Sequence, residues 1–161
     1  MNDAVVPYRD IEQMAAQVVK SKMFPGISTP EAAITLMLLC QSEGLHPMQA
    51  LTRYHIISGR PAMKADAMLA EFMRRGGTVG WVQWDNQACE AVFTSQGCPD
   101  GVTVRWTMED ARRAGVTGNP TWTKYPRQML KARVASDGGR MTDPAVNQGR
   151  YTPEEVQDFD E

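Results

Sequence analysis

The sequence predicts an α+β fold: a three-stranded antiparallel β-meander followed by a helix, with an additional hairpin and further helices. Two observations carry this expectation. Between residues 78 and 106, short runs rich in β-branched and aromatic residues are separated by turn signals, and on both sides of them apolar residues recur at helical spacing. A chain of 161 residues with 42% hydrophobic content is long enough to bury one substantial core. The expected organisation is a single core domain over residues 1–140, followed by an acidic, flexible tail over 141–161.

Taken in order, Arg9 to Lys20 predicts a helix, with Ile11, Met14, Ala15 and Val18 on one face. Met23-Phe24-Pro25-Gly26 interrupts it. Ser28-Thr29-Pro30-Glu31 starts a second helix through a hydroxyl cap and a proline in the first turn. That helix, apolar nearly all round to Ser42, belongs in the core. Tyr54 to Ile57, Ser58-Gly59 and Arg60 to Lys64 form a hairpin, and Ala65 to Arg75 an amphipathic helix stopped by Gly76-Gly77. Met68, Leu69, Phe72 and Met73 share its apolar face.

The three strands are Thr78 to Trp84, Ala88 to Thr94 and Val102 to Trp106. Cys98-Pro99-Asp100-Gly101 reads as the turn before the third. Alternation puts Val102, Val104 and Trp106 inward, with Thr103 and Arg105 outward. Trp81, Trp84 and Trp106 are expected in the core. Thr107-Met108-Glu109-Asp110 caps a short helix closed by Gly115. The last long helix runs from about Thr123 to Ala135, with Tyr125-Pro126 in its first turn and Asp137-Gly138-Gly139 ending it.

Net charge is −2, which discourages a polyanion partner until its distribution is considered. Residues 53–75 carry five basic and two acidic groups, and residues 105–140 carry eight and three. Residues 141–161 carry one and six. Two basic blocks therefore stand before an acidic end. Three cysteines (Cys40, Cys89, Cys98), without C-x-x-C spacing, argue against a disulfide framework. With His46 and His55 they are too scattered for a metal site. A reducing, cytoplasmic setting is expected, since MNDAVVPYRD carries no secretory pattern and the longest apolar run is far too short to span a bilayer.

Signatures of catalysis are missing. There is no G-x-x-x-x-G-K-[ST] phosphate loop and no G-x-G-x-x-G. Asp66 and Glu71 lie five residues apart, a poor carboxylate pair for metal-dependent cleavage, and His55 has no neighbouring nucleophile. No catalytic residue and no cofactor are expected. A magnesium dependence of DNA binding stays open, without an assigned site.

On a helical projection Lys124, Arg127 and Lys131 form one basic stripe. Trp122 and Tyr125 stand beside it, and Arg105 lies on the outer face of a neighbouring strand. Cations neutralise phosphates and aromatic rings stack on bases, so this set suits a single nucleic-acid strand. Simple packing at the start of the helix also explains Trp122 and Tyr125. Arg133 falls on the apolar side, where it must either meet a core carboxylate such as Asp66 or Glu109, or reach an external phosphate. Arg53, Lys64 and Arg74 are further candidates for the groove.

Several ordered motifs add a resemblance. The segment from Gly44 to Leu51, with Leu45-His46-Pro47-Met48-Gln49-Ala50, resembles the RecT and Red-beta-type phage single-strand DNA annealing proteins. So do Ile56 to Leu69, with Ser58-Gly59-Arg60-Pro61-Ala62-Met63-Lys64-Ala65-Asp66, and Trp106 to Ala111 with Ala114-Gly115. Trp122-x-x-Tyr125-Pro126-Arg127-x-Met129-Leu130-x-Ala132-Arg133 and Gly149-x-Tyr151-Thr152-Pro153-Glu154-Glu155 complete the series. The resemblance implies an ATP-independent recombinase that anneals complementary strands as a ring or helical filament, in DNA recombination and repair. It implies single-stranded DNA, the annealed duplex and further copies of the chain as partners, together with a bacteriophage exonuclease or a host single-strand binding protein. A membrane is not among them. An alternative reading is a protein-interaction module that modulates a host DNA-repair factor, and a further one is a metal-dependent nuclease.

Overall fold

A computed structural model describes residues 5–159 of the chain. The fold is α+β, with one two-stranded and one three-stranded antiparallel sheet among helices. The chain divides into two compact units, Met1–Ala62 and Met63–Glu161, where the sequence suggested one core over 1–140.

In the first unit, α1 (Tyr8–Ser21) buries Ile11, Ala15 and Val18 on one face. Helix α2 (Pro30–Ser42) is capped by Thr29, whose side chain accepts from Ala32 N. Its burial is one-sided: Ala33, Leu36, Met37 and Cys40 are buried while Leu38 is exposed. After the short α3 (Ala50–Arg53), β1 (Tyr54–Ile57) and β2 (Arg60–Met63) form the expected hairpin. Its corner residues Ser58 and Gly59 have φ of 49° and 75°, the two positive values that a two-residue turn between twisted strands requires.

The second unit begins with α4 (Ala65–Arg74). It buries Met68 and Phe72 but leaves Met73 exposed, and it buries Glu71 instead. The meander follows as β3 (Thr78–Trp84), β4 (Ala88–Ser95) and β5 (Cys98–Thr107), with β4 central. The third strand starts four residues earlier than its alternation suggests. Ser95 pairs with Cys98, so the turn is Gln96-Gly97, and Gly101 at φ 79° sits in a bulge within β5. Val104 is buried and Trp106 partly buried, with Thr103 and Arg105 exposed, as the alternation predicts.

Helix α5 (Met108–Arg113) starts with a capping box between Thr107 and Asp110. The short α6 (Pro120–Lys124) ends at Tyr125, which breaks the helix, and α7 (Pro126–Thr142) begins with proline at its first position. Helix α7 then runs straight through Gly138-Gly139 instead of stopping there. Here glycine serves close packing: a Cβ on Gly138 would lie 2.3 Å from the ring of Phe93 on β4. Phe93 in turn meets Phe72 of α4 at 5.7 Å between ring centroids.

Residues 141–159, expected as a flexible tail with one helical turn at Pro153-Glu154-Glu155, carry a helix from Pro153 and several buried residues; Asp160 and Glu161 lie outside the described residues. A turn at Pro144–Val146 leads to α8 (Pro153–Phe159), and Thr152, Glu155 and Val156 are buried. Three of the acidic residues that made this segment look solvated are paired: Asp143 with Arg75, Glu155 with Arg140 and Asp158 with Arg133. Glu155 accepts from Arg140 Nη1 at 2.8 Å and Nη2 at 2.7 Å, from Ser136 Oγ at 2.9 Å and from Thr152 N at 2.8 Å. Burial pushes its carboxyl up, but these donors outweigh burial and hold it below the usual carboxylate range. Among the described residues no helix is long and apolar enough to cross a membrane.

Candidate nucleic-acid interface

Strand β3 lies at the edge of the meander and carries two tryptophans three residues apart. In a regular strand that spacing would put them on opposite faces. The register with β4 shifts between Trp81 and Gln83, so Trp81 pairs with Ala91 and Trp84 with Cys89. Ala91 and Cys89 are two apart, which places both indoles on one face of the sheet. Val82, the extra residue at the shift, is 62% exposed.

The indoles therefore stay partly in solvent: Trp81 is 39% and Trp84 44% exposed, and their ring centroids lie 6.4 Å apart at 36°. The turn after Trp84 is held by Asp85, whose carboxylate accepts from Gln83 Nε2, Gln87 N and Ala88 N at 2.7–2.9 Å. Those donors hold Asp85 below the usual carboxylate range. Across the ladder from Trp84, burial pushes the Cys89 thiol up to about 11, so at neutral pH it is an uncharged packing residue.

The first turns of α7 run past this pair. The Arg127 guanidinium stands 4.9 Å from the centroid of Trp84, and Lys131 Nζ stands 5.4 Å from Trp84 and 5.9 Å from Trp81. Trp84 Nε1 also donates to the Arg127 carbonyl at 3.1 Å, tying the strand edge to the helix. Arg127 and Lys124 are exposed, and among the described residues no carboxylate lies within ion-pair distance of either. Lys131 is half-buried and pairs with the exposed Asp66 of α4 at 3.0 Å. Tyr125, between the two helices, is 54% exposed. Arg127, Lys131 and the two indoles thus share one surface of the second unit, with the exposed Lys124 and Tyr125 just before them in the chain.

Other residues that the sequence suggested lie elsewhere. Trp122 is fully buried and has no ring face to offer a base. Arg133 is buried too; it pairs with Asp158 of α8, neither with Asp66 nor with Glu109, and its guanidinium lies 5.3 Å from the ring of Trp106. Arg105 bonds Glu90 across the sheet at 3.0 Å. Its register partner Glu90 alternates with Cys89 and Ala91, so Arg105 projects from the opposite face to the two indoles. Arg74 is held by Glu71 at 2.6 Å, and Lys64 is half-buried at the start of α4. In the first unit, Arg53 is largely buried beside Glu43 at 3.4 Å and lies 5.9 Å from the ring of Tyr54.

Trp81 and Trp84, which pattern reading placed in the core, are instead exposed beside these cations. Their three-residue spacing within a strand was the available signal, because alternation alone cannot bury both. No protein-family model matches the chain, and no curated protein matches it in sequence.

Proposed function

We propose that this chain binds single-stranded DNA and anneals it to a complementary strand without ATP, in phage-type recombination, as an oligomeric ring or filament in the cytoplasm. The observation that carries the reading is the placement of Arg127 and Lys131 at the exposed rings of Trp84 and Trp81, with the exposed Lys124 at the end of the preceding helix; Lys124 and Arg127 have no ion-pair partner among the described residues. Cations in such a row hold a phosphate backbone whatever its sequence, and binding through phosphates alone leaves base edges free to find a complement. The ordered RecT-like motifs give the reading its annealing step. A phage exonuclease or host single-strand binding protein would supply or hand over the strand, and the chain itself needs no catalytic residue or cofactor for this work.

An order-of-addition experiment tests it. The protein is mixed with one oligonucleotide, then with its complement, in the absence of nucleotide. The expected outcome is a weak, salt-sensitive first complex and a second complex that withstands moderate salt only when both strands are present. Absence of binding to the first strand, or annealing no faster than in free solution, would remove the proposal.

A further inference from the structure

We propose that Trp81 and Trp84 form a stacking site for unpaired nucleobases, so that the protein grips the bases of a single strand as well as its phosphates. This rests on the single-strand reading above and extends it to a second kind of interaction.

Three features point to bases as the occupant. First, both indoles are brought to one face by the irregularity in β3 and remain open by 39% and 44% of their surface, although the same unit buries Trp122 completely. The two exposed indoles make an apolar patch, and such patches mark interaction surfaces. Second, Arg127 and Lys131 stand over these rings at 4.9–5.9 Å from the centroids. An apolar protein partner gains nothing from two cations in that position, whereas a nucleotide offers a ring for the indole and a phosphate for the cation. Third, the rings are tilted by 36° at 6.4 Å, too close for a base to enter between them. A base therefore stacks against the exposed part of the indoles rather than between them. Base–indole stacking is indifferent to sequence because every base has a π face. In a duplex those faces are already covered by neighbouring base pairs, so the site favours unpaired strands and releases them on annealing.

The test compares two probes of equal length on the full chain: an oligothymidylate, and an abasic oligonucleotide that keeps the phosphates without bases. Wild type is expected to bind the oligothymidylate at least about tenfold more tightly, the effect of one to two stacked bases. Trp81→Ala/Trp84→Ala should bind both probes equally, at the wild-type affinity for the abasic strand. Because Trp84 also bonds the Arg127 carbonyl, a Trp81→Phe/Trp84→Phe variant provides a second measure that keeps a ring at each position. It should retain most of the preference while losing the quenching of intrinsic fluorescence that oligothymidylate causes in wild type. Equal binding of both probes by wild type would overturn stacking and leave phosphate-based single-strand binding standing. Binding of neither probe would remove both proposals. A preference that survives the alanine variant would also overturn the assignment. So would a change in oligomeric state alone, which would make the patch an interface between copies of the chain.

Discussion

Two guanidinium–indole pairs on α7 invite comparison. Arg127 lies 4.9 Å from Trp84 and Arg133 lies 5.3 Å from Trp106, on the same helix and against the same sheet. Around Arg127 the indole is open and its Nε1 bonds only a backbone carbonyl. Around Arg133 the pair is closed: Asp158 covers the guanidinium and Trp106 Nε1 donates to Asp137 at 2.6 Å. Two turns later Arg140 is closed in the same way by Glu155. The difference comes from α8, which brings Asp158 and Glu155 to the later turns of α7, whereas among the described residues no carboxylate pairs with Arg127 at its first turn. A cation on this helix becomes part of the scaffold or part of a surface according to whether the fold supplies its carboxylate.

The largest effect is expected from breaking the closed end. Glu155→Ala leaves Arg140, Ser136 and the Thr152 N–H without their common acceptor in a buried place. Removing one partner of such a pair costs about 3 to 5 kcal/mol, which urea denaturation would read. The pH dependence has a definite sign. The Glu155 carboxyl is held below its ordinary value in the folded chain. Its contribution is therefore complete above the unfolded carboxylate pKa of about 4.3 and is lost as pH falls through the lower folded value. Neighbouring Glu154 is pushed up by burial, so it works in the opposite sense, destabilising at neutral pH and relieved by acid. In a Glu154→Gln background the acid loss of stability should steepen. A Glu155→Ala protein as stable as wild type at neutral pH would show that the closed end holds nothing together.

At the open end the expectation reverses, with binding weakened and stability kept. Changing Lys124, Arg127 and Lys131 together to Glu should weaken oligothymidylate binding at least about 100-fold. It should also flatten the log–log salt dependence by roughly 0.7 for each phosphate that is no longer neutralised. Stability should move by about 1 kcal/mol, because Lys124 and Arg127 are exposed and the half-buried Lys131 is paired only with an exposed carboxylate. Unchanged affinity and slope in that variant would dissolve the contrast between the two ends.

A third change bears on the closed half and on what could be read in advance. Gly138→Ala would push a methyl group to 2.3 Å from the buried Phe93 ring, and overpacking of this kind costs about 2 kcal/mol. Strand affinity per folded molecule should not change. The same glycine shows where pattern reading ended. Asp137-Gly138-Gly139 has the composition of a helix stop, and only the approach of β4 explains why glycine is needed inside a helix that continues to Thr142. The meander, the hairpin and the helix after it were legible because periodicity and turn residues are local. The stripe of Lys124, Arg127 and Lys131 assumed one continuous helix, whereas the break at Tyr125 puts Lys124 on α6 and leaves only Arg127 and Lys131 together on α7. The fates of Arg133, Arg105 and Trp122 were not legible, since each depends on a partner or cover brought from a distant stretch of chain. The acidic end misled most: Glu155 and Asp158 look solvated until Arg140 and Arg133 are placed against them. Trp81 and Trp84 were hidden by a single register shift, which moves a side chain from one face to the other.

The smallest expected effect sits between the two ends, at the one cation of the stripe that does have a carboxylate. Lys131 Nζ meets Asp66 at 3.0 Å, but the Asp66 side chain is 85% exposed, so this pair is screened by water as the Arg133 and Arg140 pairs are not. An exposed pair of this kind contributes a few tenths of a kcal/mol, and Asp66→Asn should leave stability unchanged within about 0.5 kcal/mol. Binding responds differently, because Asp66 competes with phosphate for Lys131 and repels a polyanion besides. Asp66→Asn should tighten oligothymidylate binding about threefold at low salt. The gain should vanish once the ionic strength brings the screening length below about 8 Å. Lys131→Ala should move affinity the other way, and the double variant should match Lys131→Ala, because the carboxylate acts mainly through that lysine. If Asp66→Asn tightens binding equally in the presence and absence of Lys131, the carboxylate acts as a general repulsive charge, and Lys131 then belongs with the closed cations rather than the open ones.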